Sequence, residues 1–172
     1  NCLYRLWDAL LDKFPHLLVD NCASGGRRID IETLRRSIPL WRSDYQCSAN
    51  FCLEGAQSHH LTFNQWMPFS GTGMGRGYDT YRARSSYSPA FLTNHTFSER
   101  NPFGDEPEKM AWLKGILEEY LKVRPYMTED FYPLTQVSDR NDIWSAAQFH
   151  RPADGAGIVQ VFRREKSPYK SA

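Results

Sequence analysis

Three aspartates between residues 20 and 44 are the residues whose type and spacing point most directly to chemistry. They are Asp20, Asp30 and Asp44, and Cys22 lies close to the first of them. Two carboxylates at the ends of neighbouring parallel strands can face one cleft. There, one can protonate a leaving oxygen while the other attacks a carbon or activates water. Aspartate is also a common helix cap, and Asp30, which precedes a helical pattern, is predicted to be one.

The elements that must position these aspartates alternate between strand and helix patterns. Apolar residues recur at helical spacing from Leu3 to Phe14, and Pro15 ends that predicted helix. The apolar run at 17–19 predicts a buried strand that opens into the loop after Asp20. A helix is predicted over Ile31 to Arg36, and a short strand at 40–41 leads to Asp44.

The rest of the chain continues this rhythm and then changes. The further predicted elements are a helix around 49–57, a strand between 61 and 69, a glycine-rich loop at 71–77, a long helix from Pro107 to Leu121, and an antiparallel hairpin formed by 143–149 and 158–162. The change from parallel units to a hairpin predicts a domain boundary near Thr128.

Three strand-loop-helix units with polar residues at the strand ends predict an α/β fold, the C-terminal part of a (β/α)8 barrel. Active sites in that fold lie at the C-terminal ends of the strands. Residues 1–128 are accordingly assigned to the barrel, and residues 129–172 to the start of an antiparallel β-sandwich domain. A doubly wound sheet is the alternative fold.

Composition excludes several function classes. Of the 172 residues, 41% are hydrophobic, which supports a packed core, and the net charge of +1 offers no general attraction to nucleic acid or to a membrane surface. The four cysteines lack the spacing of a zinc site and are predicted to be mostly free thiols. They leave a cytoplasmic or a secreted location open. Because the chain begins without Met, in a predicted helix, we expect a piece of a longer protein.

Two linked motifs resemble those of a known enzyme family. They are residues 22–30 (CASGGRRID) and, after Ser37 and Pro39, residues 41–44 (WRSD). Together they look like the paired signature of family 36 glycoside hydrolases, the α-galactosidases of clan D. That signature is a Cys-x-x-Gly-Gly-x-Arg-x-Asp loop followed by Trp-x-Ser-Asp. The motif resemblance extends from about Leu17 to Phe69.

The resemblance implies a retaining α-galactosidase that acts by double displacement on α-galactoside oligosaccharides, with no metal and no organic cofactor. It makes Asp44 the general acid/base. Cys22 and Gly25 match positions that contact the bound galactose, and Trp41 and Asp20 are expected beside the same sugar. The family's nucleophile belongs to a Lys-x-Asp run, which has no counterpart in a strand here. The resemblance therefore implies a nucleophile upstream of these residues and an inactive isolated chain.

Several residues depart from the family pattern. Asp20 stands where the family often has Glu, Arg27 replaces a usual glycine, and Tyr45 replaces a frequent Asn. These changes bear on the preferred aglycone more than on the reaction type. Gln65 and Trp66 fall at the place of the family's last barrel strand and are weaker candidates for cleft residues.

Other functions remain open at this point. A related α-N-acetylgalactosaminidase or transglycosylase shares the resemblance, and so does a non-catalytic relative that binds carbohydrate. The sequence leaves a homo-oligomer open. The glycine-rich loop lacks the Lys of a nucleotide-binding motif, and the adjacent His59 and His60 point apart on a helix or a strand, so neither predicts a phosphate or metal site.

Overall fold

The computed structural model describes residues 2–22, 25–48, 50–67, 69–75, 77–93 and 106–171. It has a mixed α/β architecture. The helices are α1 (Cys2–Lys13), α2 (Ile31–Leu34), α3 (Leu53–Phe63), α4 (Thr80–Ser85) and α5 (Pro107–Val123), with 3₁₀ turns at Asp44–Cys47 and Arg124–Tyr126. The strands are β1 (Gly71–Gly73), β2 (Ala90–Leu92), β3 (Asp130–Pro133), β4 (Trp144–Arg151) and β5 (Ala156–Arg163).

Backbone hydrogen bonds join four successive segments between residues 19 and 92. Asp20 and Ile38 form an isolated parallel bridge. The next segment bonds to β1, because Gly71 N donates to Pro39 O at 3.0 Å and Arg42 N donates to Gly71 O at 3.0 Å. β1 in turn pairs with β2 in parallel. The segments that carry the two sequence motifs therefore lie side by side, although the described residues form no closed barrel.

The prediction of a strand between residues 61 and 69 is wrong. Residues 61–63 end α3, and the strand is Gly71–Gly73, inside the segment predicted to be a loop. A Cβ on Gly71 would lie 1.5 Å from Leu40 O, and one on Gly73 would lie 2.7 Å from the Trp41 ring. These glycines permit close approach of the backbone, which a sequence pattern based on apolar alternation does not detect.

Other elements follow the predictions more closely. α1, α5 and the hairpin of β4 and β5 are confirmed, and the hairpin pairs over eight residues on each side. The predicted strands at 17–19 and 40–41 are reduced to a single bridge and a few backbone hydrogen bonds. The helix predicted around 49–57 begins only at Leu53, and β2 and β3 were not predicted.

One apolar cluster lies between α4, α5 and the antiparallel sheet. Its buried members are Met74, Ala83, Tyr87, Ile116, Tyr120, Met127 and Phe149. Phe149 belongs to β4, so the cluster includes residues on both sides of Thr128. Among the described helices, none has the length and apolar character needed to cross a membrane.

Candidate active site

Asp44 lies at the start of a 3₁₀ turn, where its side chain is exposed. Ser43 caps this turn, since its Oγ accepts a hydrogen bond from Tyr45 N at 3.1 Å. The indole Nε1 of Trp41 donates to Asp44 Oδ1 at 3.1 Å. This bond fixes one carboxylate oxygen relative to the tryptophan ring and leaves the group open to solvent.

The two glycines of the first motif pack directly against the second motif. Gly25 has φ +70°, and a Cβ there would lie 2.9 Å from Asp44 N and 3.2 Å from Asp44 Cβ. Gly26 has φ +91°, and a Cβ there would lie 2.7 Å from Arg42 O. Any larger side chain at either position would be strained and would push the loop away from Asp44. The structure thus brings Gly25, Trp41 and Asp44 together.

Asp20 lies on the neighbouring segment, beside a surface groove. Its Oδ1 accepts a hydrogen bond from Leu40 N at 3.2 Å, which links the bridge segment to the residues before Asp44. The groove has a volume of about 500 Å³ and is lined by Asp20, Leu40, Trp41, Pro89, Ala90, Phe91, Leu92, Tyr120 and Arg124. Trp41 contacts both the groove and Asp44. Cys22 is an exposed thiol, as are the other three cysteines, which confirms the prediction of free thiols.

Asp30 is a helix cap, as predicted. Its two carboxylate oxygens accept from Thr33 N at 2.9 Å and from Thr33 Oγ1 at 2.7 Å. These hydrogen bonds to the ionised form lower the pKa of Asp30. In the described part of the chain, no ion pair joins Asp30 to Arg28. Instead, Arg28 O accepts a hydrogen bond from Asn21 Nδ2 at 2.8 Å.

A buried cation lies beneath the 41–44 segment. Arg42 is 1% exposed, and its Nη2 lies 3.1 Å from His60 Nδ1. His60 Nε2 lies 2.9 Å from Ser85 O. Because a guanidinium only donates and a carbonyl only accepts, His60 is neutral, with Nδ1 accepting and Nε2 donating. Burial lowers the pKa of His60 well below 6.5 and that of Arg42 to about 10.

Tyr45 ties the 3₁₀ turn to the start of α3. Its hydroxyl accepts a hydrogen bond from Cys52 N at 3.1 Å, and a Cβ on Gly55 would lie 3.0 Å from the same oxygen. The ring also packs against Phe51, with centroids 6.0 Å apart. Burial is the main cause of a raised Tyr45 pKa. Sequence reasoning noted Tyr45 only as a departure from the family pattern.

Gln65 and Trp66 make their hydrogen bond and ring contact with residues of α3 and not with Asp44. Both follow the C-terminal end of α3 and precede β1, whereas Asp44 precedes α3. Trp66 lines a surface depression with Leu34, Ser37 and Pro39, and this depression does not include Trp41 or Asp20. Gln65 Nε2 donates to Leu61 O at 2.6 Å, and Trp66 packs on Phe63. Within the described ranges, no group of three or more His, Cys, Asp or Glu residues is placed to hold a metal ion.

Comparison with known proteins finds relatives that are all named alpha-galactosidases. An alpha-galactosidase of Escherichia coli is 47% identical over 49 residues, which are 28% of this chain and 7% of that protein. Alpha-galactosidase 2 of Hypocrea jecorina is 26% identical over 94% of this chain and 22% of its own length. Probable alpha-galactosidase C of Aspergillus terreus is 28% identical over 96% of this chain and 22% of its own length.

This chain is similar to alpha-galactosidases. The similarity extends over most of the chain at low identity, and the chain spans about a fifth or less of the length of these relatives. No family model matches the chain. No solved structure matches it either.

Proposed function

We propose that this chain supplies the general acid/base side of the active site in a retaining α-galactosidase, with Asp44 as the acid/base. The observation that carries the proposal is the contact between the two motifs. The exposed Asp44 carboxylate accepts a hydrogen bond from Trp41 Nε1, and the backbone of Gly25 packs against it. Similarity to alpha-galactosidases over most of the chain supports the same reaction.

The proposed fold is the C-terminal part of a (β/α)8 barrel over residues 1–128, followed by the start of an antiparallel β-sandwich domain. Asp20 pairs with Ile38 in parallel, β1 pairs with β2 in parallel, and backbone hydrogen bonds join the segment before Asp44 to β1. Helices α2 and α3 follow the first two of these segments, which is the order of strand and helix in a barrel. Asp44 then lies at the C-terminal end of its strand segment, where such barrels hold their catalytic groups.

In the first step, the Asp44 carboxyl gives its proton to the glycosidic oxygen as the bond from that oxygen to the anomeric carbon breaks. A second carboxylate, from outside these 172 residues, attacks the anomeric carbon and forms a covalent glycosyl-enzyme. In the second step, Asp44, now ionised, removes a proton from water as the water oxygen attacks the same carbon. The second carboxylate leaves, and the sugar keeps its anomeric configuration.

The residues around Asp44 are proposed to bind the galactosyl unit. Trp41 offers an aromatic surface beside the acid/base, and Gly25 exposes backbone where a side chain would block the sugar. Asp20 and Cys22 provide polar groups on the neighbouring segment. Asp20 and Trp41 share the groove, which is the expected entrance for the rest of an oligosaccharide.

Replacement of Asp44 by Ala in the full-length protein tests the acid/base role. Two substrates are compared: an α-galactosyl oligosaccharide, whose leaving group is poor, and an aryl α-galactoside, whose leaving group needs little protonation. Loss of a general acid typically costs about 10²- to 10⁴-fold. We expect that loss in kcat/KM on the oligosaccharide and a much smaller one on the aryl substrate, and added azide should restore turnover of the aryl substrate.

Asp30→Asn is the matched control, because it removes a nearby carboxylate while an Asn side chain still caps α2. It should leave the ratio of the two activities unchanged. Equal losses on both substrates for Asp44→Ala, or no loss on either, would show that Asp44 is not the acid/base. An unmodified parent with no activity on either substrate, but with measurable binding of galactose, would favour the non-catalytic relative.

A further inference from the structure

The second motif is held in place by a buried contact of one of its own residues, Arg42. Arg42 stands between Trp41 and the Ser43–Asp44 pair, and its side chain turns into the interior, where it is 1% exposed. Its guanidinium contacts His60 of α3 at 3.1 Å and lies 5.9 Å from the centre of the Phe63 ring. The segment that presents Asp44 is therefore fixed to the helix behind it.

Arg42 also connects the segment to both of its neighbours through the backbone. Its N–H donates to Gly71 O of β1 at 3.0 Å. On the other side, its carbonyl oxygen lies where a Cβ on Gly26 would come within 2.7 Å. A shift of Arg42 would accordingly move the strand contact, the glycine loop and Asp44 together.

The contact between Arg42 and His60 depends on one histidine tautomer. His60 Nε2–H donates to Ser85 O, which leaves Nδ1 as the acceptor for Arg42. In the described structure, the Nε and Nη1 atoms of Arg42 have no hydrogen-bond partner, so His60 Nδ1 is the acceptor that sets the direction of the guanidinium. A buried cation with so few acceptors is a poor source of stability, because desolvation costs as much as the contact returns.

We propose that Arg42 and His60 form a positioning pair that holds Trp41 and Asp44 in the geometry required for proton transfer. This inference rests on the proposed role of Asp44 as acid/base. Neither residue reaches the sugar, and both act through the backbone of the 41–44 segment. Misplacement of a catalytic group by about 1 Å can cost about 100-fold in rate, so a loosened anchor should be visible in turnover.

Two substitutions of His60 separate positioning from packing. In His60→Asn, the amide oxygen takes the place of Nδ1 and still accepts from Arg42, but the bond to Ser85 O is lost. In His60→Gln, the amide nitrogen takes the place of Nε2 and still donates to Ser85 O, but the acceptor for Arg42 is lost. Each variant keeps one hydrogen bond, so we expect similar losses of melting temperature for the two.

Both variants are made in the full-length protein and assayed on the α-galactosyl oligosaccharide and the aryl α-galactoside. His60→Gln should lower kcat/KM on the oligosaccharide by about 10- to 100-fold more than on the aryl substrate, and His60→Asn should keep the ratio of the two kcat/KM values within about 3-fold of the parent. The ratio reports on proton donation, and a loss of folded protein would not change it. Arg42→Met provides a second test: it should shift the ratio as His60→Gln does.

Each outcome decides the inference. Equal ratios in His60→Gln, Arg42→Met and the parent, with Asp44→Ala still selective for the oligosaccharide, would overturn the positioning pair and leave the acid/base assignment intact. If Asp44→Ala itself does not change the ratio, both proposals fail. A shifted ratio in His60→Gln and Arg42→Met, with a normal ratio in His60→Asn, supports the pair.

Discussion

Arg164 offers the strongest single test of how the antiparallel sheet is held to the preceding part of the chain. The residue follows β5 and is 1% exposed. Its guanidinium donates to Gln57 Oε1 at 3.0 Å, to Ser138 O at 2.7 Å, to Arg140 O at 2.6 Å and to Glu54 O at 3.4 Å. Two of these acceptors lie on α3, so the side chain links α3 to the region beyond the predicted boundary near Thr128.

The cost of removing this link follows from the acceptors that are left behind. In Arg164→Met, Gln57 Oε1 and Arg140 O lose the donors that they have in the described structure. Ser58 Oγ lies 2.6 Å from Ser138 O and 2.8 Å from Glu54 O, so its one proton can serve either of those. A buried acceptor without a donor costs about 1–3 kcal/mol, and Met retains part of the apolar contact. We therefore expect a loss of about 2–4 kcal/mol in local stability.

Amide hydrogen exchange measures that loss where it occurs. A decrease of about 2–4 kcal/mol in the free energy of opening corresponds to exchange about 30- to 1000-fold faster, expected here in α3 and β4. Arg35→Met is the control, because Arg35 is an exposed residue whose ion pair with Glu32 is also exposed. Unchanged exchange in α3 and β4 for Arg164→Met would refute the reasoning, since it would mean that the acceptors find other donors at no cost.

Two further predictions concern packing and pH. Gly71→Ala should destabilise the fold by more than about 3 kcal/mol in thermal unfolding, because its Cβ would lie 1.5 Å from Leu40 O. Gly115→Ala is the control on α5, where an added Cβ meets no atom within 4 Å. It should stabilise the fold by about 0.5–1 kcal/mol, because Ala has the higher helix propensity. The pKa of His60 is depressed below 6.5, so the folded state binds fewer protons than the unfolded chain. The stability that comes from burying a neutral His60 is therefore complete above pH 6.5. It is lost as the pH falls from 6.5 toward the pKa of the folded state. Melting temperatures between about pH 7 and pH 5 should fall less steeply in His60→Asn, which has no group to titrate; an equal slope in the parent and the variant would show that other groups set the acid sensitivity.

Periodic elements were the ones that the sequence predicted well. α1 and α5 have apolar residues at helical spacing and a proline near one end, and the β4–β5 hairpin has two apolar runs around a turn, so local pattern is sufficient for them. β1 was missed because its residues are glycine and threonine, whose place in a strand depends on the close approach of Leu40 and Trp41. Asp30 was predictable as a cap because a cap acts on its own helix.

The sequence by itself determined the residues that suggest the chemistry, since the two motifs contain Cys22, Gly25, Trp41 and Asp44 in a spacing that resembles one family. The tertiary structure decided what surrounds Asp44. The hydrogen bond from Trp41, the packing of Gly25 and the buried contact of Arg42 with His60 join residues from three segments of the chain. Such contacts arise when parallel pairing brings those segments together, and no local pattern in the sequence records which neighbours will meet.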